Sequence, residues 1–233
     1  SMVIKDAQPG LLVHDLLHTD VATRLRSASA KNASGREMQV CELHQLIDLT
    51  SPRHVILPSL SDHVDVLLVY TSGTTGFTKG AQLTHRGSIA NIYNIVVMTT
   101  AVAMSEQKAI AAGDIPAPTG PTPVALPPSF MAPTPLFHVT ACNCILHPAT
   151  ASGAKVVLMY KWDAGRALEL IERERITNFS GVPTMSREML LHPDWSKRNT
   201  SSMIGMGGGG AALQPDLVHK IAGALKGGQP STG

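Results

Sequence analysis

The stretch Tyr70-Thr71-Ser72-Gly73-Thr74-Thr75-Gly76-Phe77-Thr78-Lys79-Gly80 gathers hydroxyls, glycines and one lysine at the point where the apolar run Val66-Leu67-Leu68-Val69 ends. That composition suits a polyphosphate cradle. Glycines let backbone N–H groups approach an anion, hydroxyls donate further hydrogen bonds, and a lysine adds a movable positive charge. Asp65 to Tyr70 reads as a buried strand, and Thr84 is placed to cap a long helix from about His85 to Ser105, whose N-terminus would favour negative charge. The Walker A pattern, with Gly before Lys and Ser or Thr after it, is not met, because Thr78 and Gly80 hold those positions. The magnesium-binding hydroxyl of that motif is therefore missing, and an ordinary P-loop NTPase is a poor reading of the stretch.

Beyond the cradle, the chain alternates. A loop between Pro116 and Pro135 holds eight of the 16 prolines, with an extended stretch expected around Val124 to Leu126. A helix follows from Leu136, then a strand from Lys155 to Tyr160, a helix from Asp163 to Glu174, a strand from Ile176 to Phe179 and a helix from Pro183 to Leu191. Asp163 is the expected N-cap of the second of these helices, and Ala164, Ala167, Leu168 and Ile171 form its packing stripe. A last strand, Ser202 to Met206, precedes Gly207-Gly208-Gly209-Gly210, and Pro215 opens the final helix. This rhythm predicts parallel βαβ units with ligand loops at the strand C-termini. The first 61 residues are less legible: Leu11 to Leu17 and Val21 to Arg26 look helical, Glu37 to Leu43 and His54 to Leu57 extended, and no chemistry is visible in them.

Four motifs, in order, carry a resemblance. The cradle continued through Ala81-Gln82-Leu83-Thr84-His85, then Pro135-Leu136-Phe137-His138, Gly181-Val182-Pro183-Thr184 and Gly209-Gly210-Ala211-Ala212-Leu213 together resemble the adenylate-forming superfamily of acyl- and aryl-CoA synthetases, peptide-synthetase adenylation domains and luciferases. Three positions depart from the family pattern: Thr78 and Ala212 stand where proline is usual, and Ala141 where glycine is usual. A threonine at 78 leaves the loop looser than proline would, so weaker phosphate binding is expected.

The resemblance implies an α/β fold of layered parallel and mixed sheets flanked by helices, part of the large N-terminal domain of an acyl-CoA synthetase. Residues 1–61 would be its N-terminal segment and 62–233 its central part. It further implies activation of a carboxylic acid, with a fatty acid favoured by the aliphatic composition, as an acyl-adenylate by ATP and Mg2+, then transfer to coenzyme A. In that scheme Thr71, Ser72, Gly73, Thr74, Thr75, Gly76 and Lys79 hold the phosphates, Gly209, Gly210, Ala211 and Ala212 hold adenine, and His138, Gly181 and Val182 line the acid pocket. The family's next motif would begin near Ser231-Thr232-Gly233, so the catalytic lysine, the magnesium-associated glutamate and the C-terminal domain are expected outside these residues, leaving a piece without turnover.

The residues also bear on other classes. Nineteen Lys plus Arg stand against 17 Asp plus Glu, aromatics are 4%, and no basic cluster is interleaved with rings, so nucleic acid is not an expected partner. His138, Cys142, Cys144 and His147 are zinc-ligand types, but on a regular helix His138 and Cys142 share one face and Cys144 and His147 another, so no metal is expected there. Gly205 to Gly210 satisfies GxGxxG, which keeps an NAD-dependent oxidoreductase as an alternative, although from Leu217 onward no acidic residue follows to hold a ribose. A non-catalytic phosphate-binding module is the other alternative. Cys41, Cys142 and Cys144 are too few for a disulfide framework and fit a reducing, cytoplasmic setting. Ser1-Met2 reads as a cleavage scar, and the uncharged run Gly87 to Ser105, with Asn91 and Asn94 inside it, reads as a buried helix of a soluble protein, not a membrane span. A homo-oligomer is compatible with this composition.

Overall fold

In the computed structural model, residues 2–27, 35–46, 58–72, 76–117, 126–209, 211–225 and 229–232 are described, and the chain divides into two units, Ser1–His85 and Arg86–Gly233. The first unit contains helices α1 (Met2–Ala7) and α2 (Thr19–Ser27), parallel strands β1 (Leu11–His14) and β2 (Gln39–Glu42), and a short turn of helix, α3 (Leu43–Leu46). The stretch Leu11 to Leu17, expected as helix, is instead a strand over Leu11–His14 that runs into a single 3-10 turn, Leu16–His18. An apolar run this short satisfies either period until its partner strand arrives. The expected extended stretch His54 to Leu57 lies outside the described residues.

The same unit holds an antiparallel hairpin, β3 (Asp65–Thr71) with β4 (Lys79–Thr84), in which Thr71 pairs with Lys79 and Tyr70 with Gly80. β4 has no counterpart in the sequence reading. The cradle therefore joins two strands, and α4 (His85–Ala112) starts only after β4. At the rise of a strand, Lys79 and Thr84 are about 17 Å apart, so the N-terminus of α4 adds nothing to the cradle's field.

The second unit is a five-stranded sheet in the order β6-β5-β7-β8-β9, parallel throughout, with β5 (Ser129–Ala132), β6 (Lys155–Leu158), β7 (Asn178–Gly181), β8 (Gly205–Gly208) and β9 (Gln229–Thr232). Helix α7 (Ala164–Glu174) carries the expected cap, with Asp163 accepting from the Arg166 N–H at 2.7 Å, and buries Ala167, Leu168 and Ile171. These pack with Met131, Phe179, Met189, Met206, Leu217 and Ile221 in one apolar core, under α8 (Pro183–Leu191) and α9 (Pro215–Ala224). β7 and β8 start slightly later in the chain than expected. Ile176 and Thr177 are buried before β7 begins, and Gly207 and Gly208, expected in a turn, belong to strand β8 itself.

Between β5 and β6 the chain runs through α5 (Val139–Ala141), a π-turn (Cys142–Leu146) and α6 (His147–Ala151). α4 departs from expectation. It is 28 residues long and, by length and composition, apolar enough to cross a membrane, yet only 6% of its most apolar window is buried. Its packed stripe, Ser88, Asn91, Ile92 and Ile95, belongs to its first three turns; Val96, Val97, Met98, Val102 and Met104 are exposed.

Candidate functional site

In the hairpin, Thr71 ends β3, Lys79 opens β4 opposite it, and Ser72, Gly76, Phe77 and Thr78 belong to the loop between. Gly73, Thr74 and Thr75 lie outside the described residues. Gly76 has φ +84°, a left-handed conformation that glycine adopts without strain. At Gly80 a Cβ would sit 2.8 Å from Leu68 Cδ1, so the strand opposite requires its absence or a moved leucine. Thr71, Ser72 and Lys79 are exposed, and among the described residues the Lys79 ammonium has no carboxylate partner. One strand position back, the Tyr70 hydroxyl donates to the Asp6 carboxylate, which raises the phenol's pKa and ties β3 to α1.

The second unit carries its motif residues at or after the C-terminal ends of strands β5, β7 and β8. β5 connects leftward to β6 and β7 connects rightward to β8, so the order reverses between β5 and β7, the position where open parallel sheets leave a crevice beyond their C-terminal ends. The chain leaving β5 supplies His138, and β7 ends at Gly181. His138 is exposed and caps α5, its Nδ1 accepting from the Thr140 N–H at 3.2 Å. In the neutral ring that leaves the proton on Nε2, so His138 offers a donor to whatever lies beyond the corner.

Just past the paired ends of β7 and β8, the Gly209 N–H donates to the Gly181 carbonyl at 2.9 Å and so extends that ladder by one bond. A Cβ on Gly208 would lie 3.0 Å from Gly181 O and 3.1 Å from Pro183 N, and one on Gly181 would lie 2.9 Å from Phe179 Cζ. These glycines allow two backbone segments to touch, which is a packing role and not the turn role of a dinucleotide fingerprint. Val182 holds the N-cap position of α8, and the buried Ser186 hydroxyl donates to Gly207 O at 3.1 Å, fixing that helix to β8. Gly209 is buried, Ala211 and Ala212 are exposed, and Gly210 lies outside the described residues.

Thr140 is a residue that the sequence motifs do not single out. It is buried, and its Oγ1 would stand 3.9 Å from a Cβ on Gly209, which makes it the side chain linking the His138 corner to the glycine turn. Its only sequence signal is its place two residues after a capping histidine. The zinc-ligand types are arranged differently from a regular helix: across the π-turn Cys142 Sγ lies 3.6 Å from His147 Nε2, a pairing five residues apart, and burial pushes the Cys142 thiol's pKa up. Among the described residues no three His, Cys, Asp or Glu side chains gather as a metal site.

The chain is similar in sequence and fold to several known proteins. Feruloyl-CoA synthase of an Amycolatopsis species is 30% identical over 217 residues, which cover 93% of this chain and 38% of that protein. The 4-coumarate–CoA ligase CCL1 of Humulus lupulus is 28% identical over 176 residues, covering 75% of this chain and 29% of the ligase. The long-chain-fatty-acid–CoA ligase of Bacillus subtilis is 26% identical over 166 residues, covering 71% of this chain and 26% of that protein. The chain thus spans under two fifths of the length of the curated relatives it matches. Its fold matches the inhibitor-bound N-terminal domain of FACL13 from Mycobacterium tuberculosis with a TM-score of 0.73, at 19% identity, over 100% of this chain and 52% of that one. ATP-bound MatB from Rhodopseudomonas palustris matches with a TM-score of 0.66, at 20% identity, over 100% of this chain and 41% of that one. The family model for AMP-binding enzymes matches residues 1–230, so the chain belongs to the AMP-binding enzyme family.

Proposed function

We propose that this chain supplies the phosphate loop and the acid-side wall of an AMP-forming acid–CoA ligase, which activates a carboxylic acid with Mg-ATP and passes the acyl group to coenzyme A. The observation that carries the reading is the reversal of strand order between β5 and β7, with His138 after β5, Gly181 at the end of β7 and Gly209 just after β8, in a chain of the AMP-binding family. A carboxylate attacking a triphosphate creates charge on the departing pyrophosphate. Thr71, Ser72, Thr74 and Thr75 would donate to it, Gly73 and Gly76 would let backbone N–H groups approach, and Lys79 would be the cation. Gly209, Gly210, Ala211 and Ala212 would face adenine, and His138, Gly181 and Val182 the acid. Mg2+ would arrive on the nucleotide, held chiefly by phosphate oxygens, as that ion's preference for water and phosphate allows.

The acid would have an apolar tail: Leu136, Phe137 and Val139 beside His138 are exposed, and the relatives named above act on feruloyl, coumaroyl and long-chain fatty acids. A fatty acid is supported by the chain's aliphatic composition and an aryl acid by the feruloyl and coumarate ligases. Three free thiols support a reducing compartment, and the cytoplasm is the proposed location.

Thermal unfolding with Mg-ATP, Mg-pyrophosphate and NAD tests the reading. Ligand at 100 times its dissociation constant stabilises by about 2.7 kcal/mol, which for a chain this size raises Tm by roughly 5–10 °C. ATP and pyrophosphate are expected to shift wild type and to shift Lys79→Ala by less than half as much. No shift with either removes the phosphate role, an equal shift in the variant removes Lys79, and a shift with NAD alone revives the oxidoreductase. Exchange of pyrophosphate into ATP by the full-length polypeptide, dependent on decanoate or on ferulate, identifies the acid. Binding without any acid-dependent exchange would leave a non-catalytic phosphate-binding module.

A further inference from the structure

We propose that Asn91 is a positioning residue for the acid-side wall, acting through the backbone of the π-turn; the assignment rests on the acid-binding reading of the His138 corner. The cause lies in one proline. Pro148 has no N–H and cannot close a helical bond to Cys144 four residues back, and the chain widens there into the π-turn Cys142–Leu146. The His147 N–H is committed to the Cys142 carbonyl, five residues back. Residue 148, the donor that would serve Asn143 at the same spacing, is the proline. The Asn143 carbonyl thus loses both of its backbone donors.

Asn91 fills the place. Its Nδ2 donates to Asn143 O at 2.8 Å, from the packed stripe of α4. Asn143 is only 7% exposed, so without this donor its carbonyl would face the full cost of desolvation. One helical turn before Asn143 stands Thr140, whose N–H caps onto His138 and whose Oγ1 neighbours Gly209. The latch therefore sets where the corner stands relative to the glycine turn.

The test is calorimetric binding of two probes to the full-length polypeptide: a nonhydrolysable acyl-adenylate mimic, acylsulfamoyl adenosine with decanoyl and feruloyl tails, and AMP. Asn91→Leu is expected to weaken the acylated probe about tenfold, the scale of a buried carbonyl left unpaired, with AMP affinity unchanged. Asn91→Asp, which keeps the shape but removes the donor at neutral pH, is expected to do the same and stands in if the leucine variant does not fold. Pro148→Ala restores a backbone N–H that can serve this stretch, so in that background Asn91→Leu is expected to lose most of its effect. Equal loss for both probes, no loss for either, or full loss persisting in the Pro148→Ala background overturns the positioning role while leaving the ligase reading intact. Wild type that binds neither probe overturns both.

Discussion

Gly208 and Gly209 are neighbours with opposite tolerances, and the difference is a matter of tenths of an ångström. A methyl on Gly208 would press on Gly181 O, Pro183 N and Val182 C at 3.0 to 3.1 Å, all backbone atoms held by strand pairing and by the start of α8. Such a contact cannot be relieved by rotating a side chain. Gly208→Ala is expected to destabilise by about 1–3 kcal/mol, as overpacking does in a tight core. At Gly209 the nearest atom would be Thr140 Oγ1 at 3.9 Å, an ordinary contact. Gly209→Ala should therefore leave the urea midpoint close to wild type while weakening AMP, because its methyl projects toward the Thr140 side of the crevice. Equal midpoints for the two variants would show that the backbone contact at Gly208 is not what demands glycine.

The elements that can be read from sequence are those whose own residues contain both a period and a boundary. α7 has a four-residue packing stripe and Asp163 before it, and α8 has Pro183 at its first turn, so the expected and observed spans of both agree almost to the residue. β1 and β4 depend on partners. The run Leu11-Leu12-Val13 has no period of its own until β2 pairs with it, and Lys79-Gly80-Ala81-Gln82 is exposed along its length and becomes a strand only through β3. His138 is legible because its motif is local; Thr140 is not, because its part comes from Gly209, far along the chain. The same long-range logic ties α7 to the 198–199 turn. Glu172 accepts from the Asn199 N–H and from Arg198 Nη1, both at 2.9 Å, and first the backbone bond and then the guanidinium hold its carboxyl below the ordinary glutamate value. A lowered folded pKa means stability that is present above the ordinary value and is lost as pH falls through the lowered one. Urea unfolding followed by the fluorescence of Trp162 and Trp195 should show midpoints falling below about pH 4.5, with a shallower fall in Glu172→Gln. An unchanged slope in that variant would assign the acid sensitivity to other carboxylates, such as Glu174 and Asp216, which are also lowered.

At the scale of the whole chain, the discrepancy between composition and burial is concentrated in α4. An uncharged run from Gly87 to Ser105 would ordinarily be the most protected helix of a domain, and here its first turns are held by the Asn91 latch while Tyr93, Val96, Val97, Met98, Val102 and Met104 stay exposed. Contiguous apolar surface of this kind is seldom left in water. The 233-residue chain is therefore expected to self-associate, with a sedimentation coefficient that rises over a tenfold increase in concentration. Because hydrophobic association scales with the apolar area removed from water, placing charge in the exposed turns should reverse it. Val97→Lys combined with Val102→Lys is expected to return the chain to a concentration-independent monomer without changing its urea midpoint, since both residues lie outside the core cluster. Association that survives both lysines would move the sticky surface to β3, where Val66 and Leu68 are exposed.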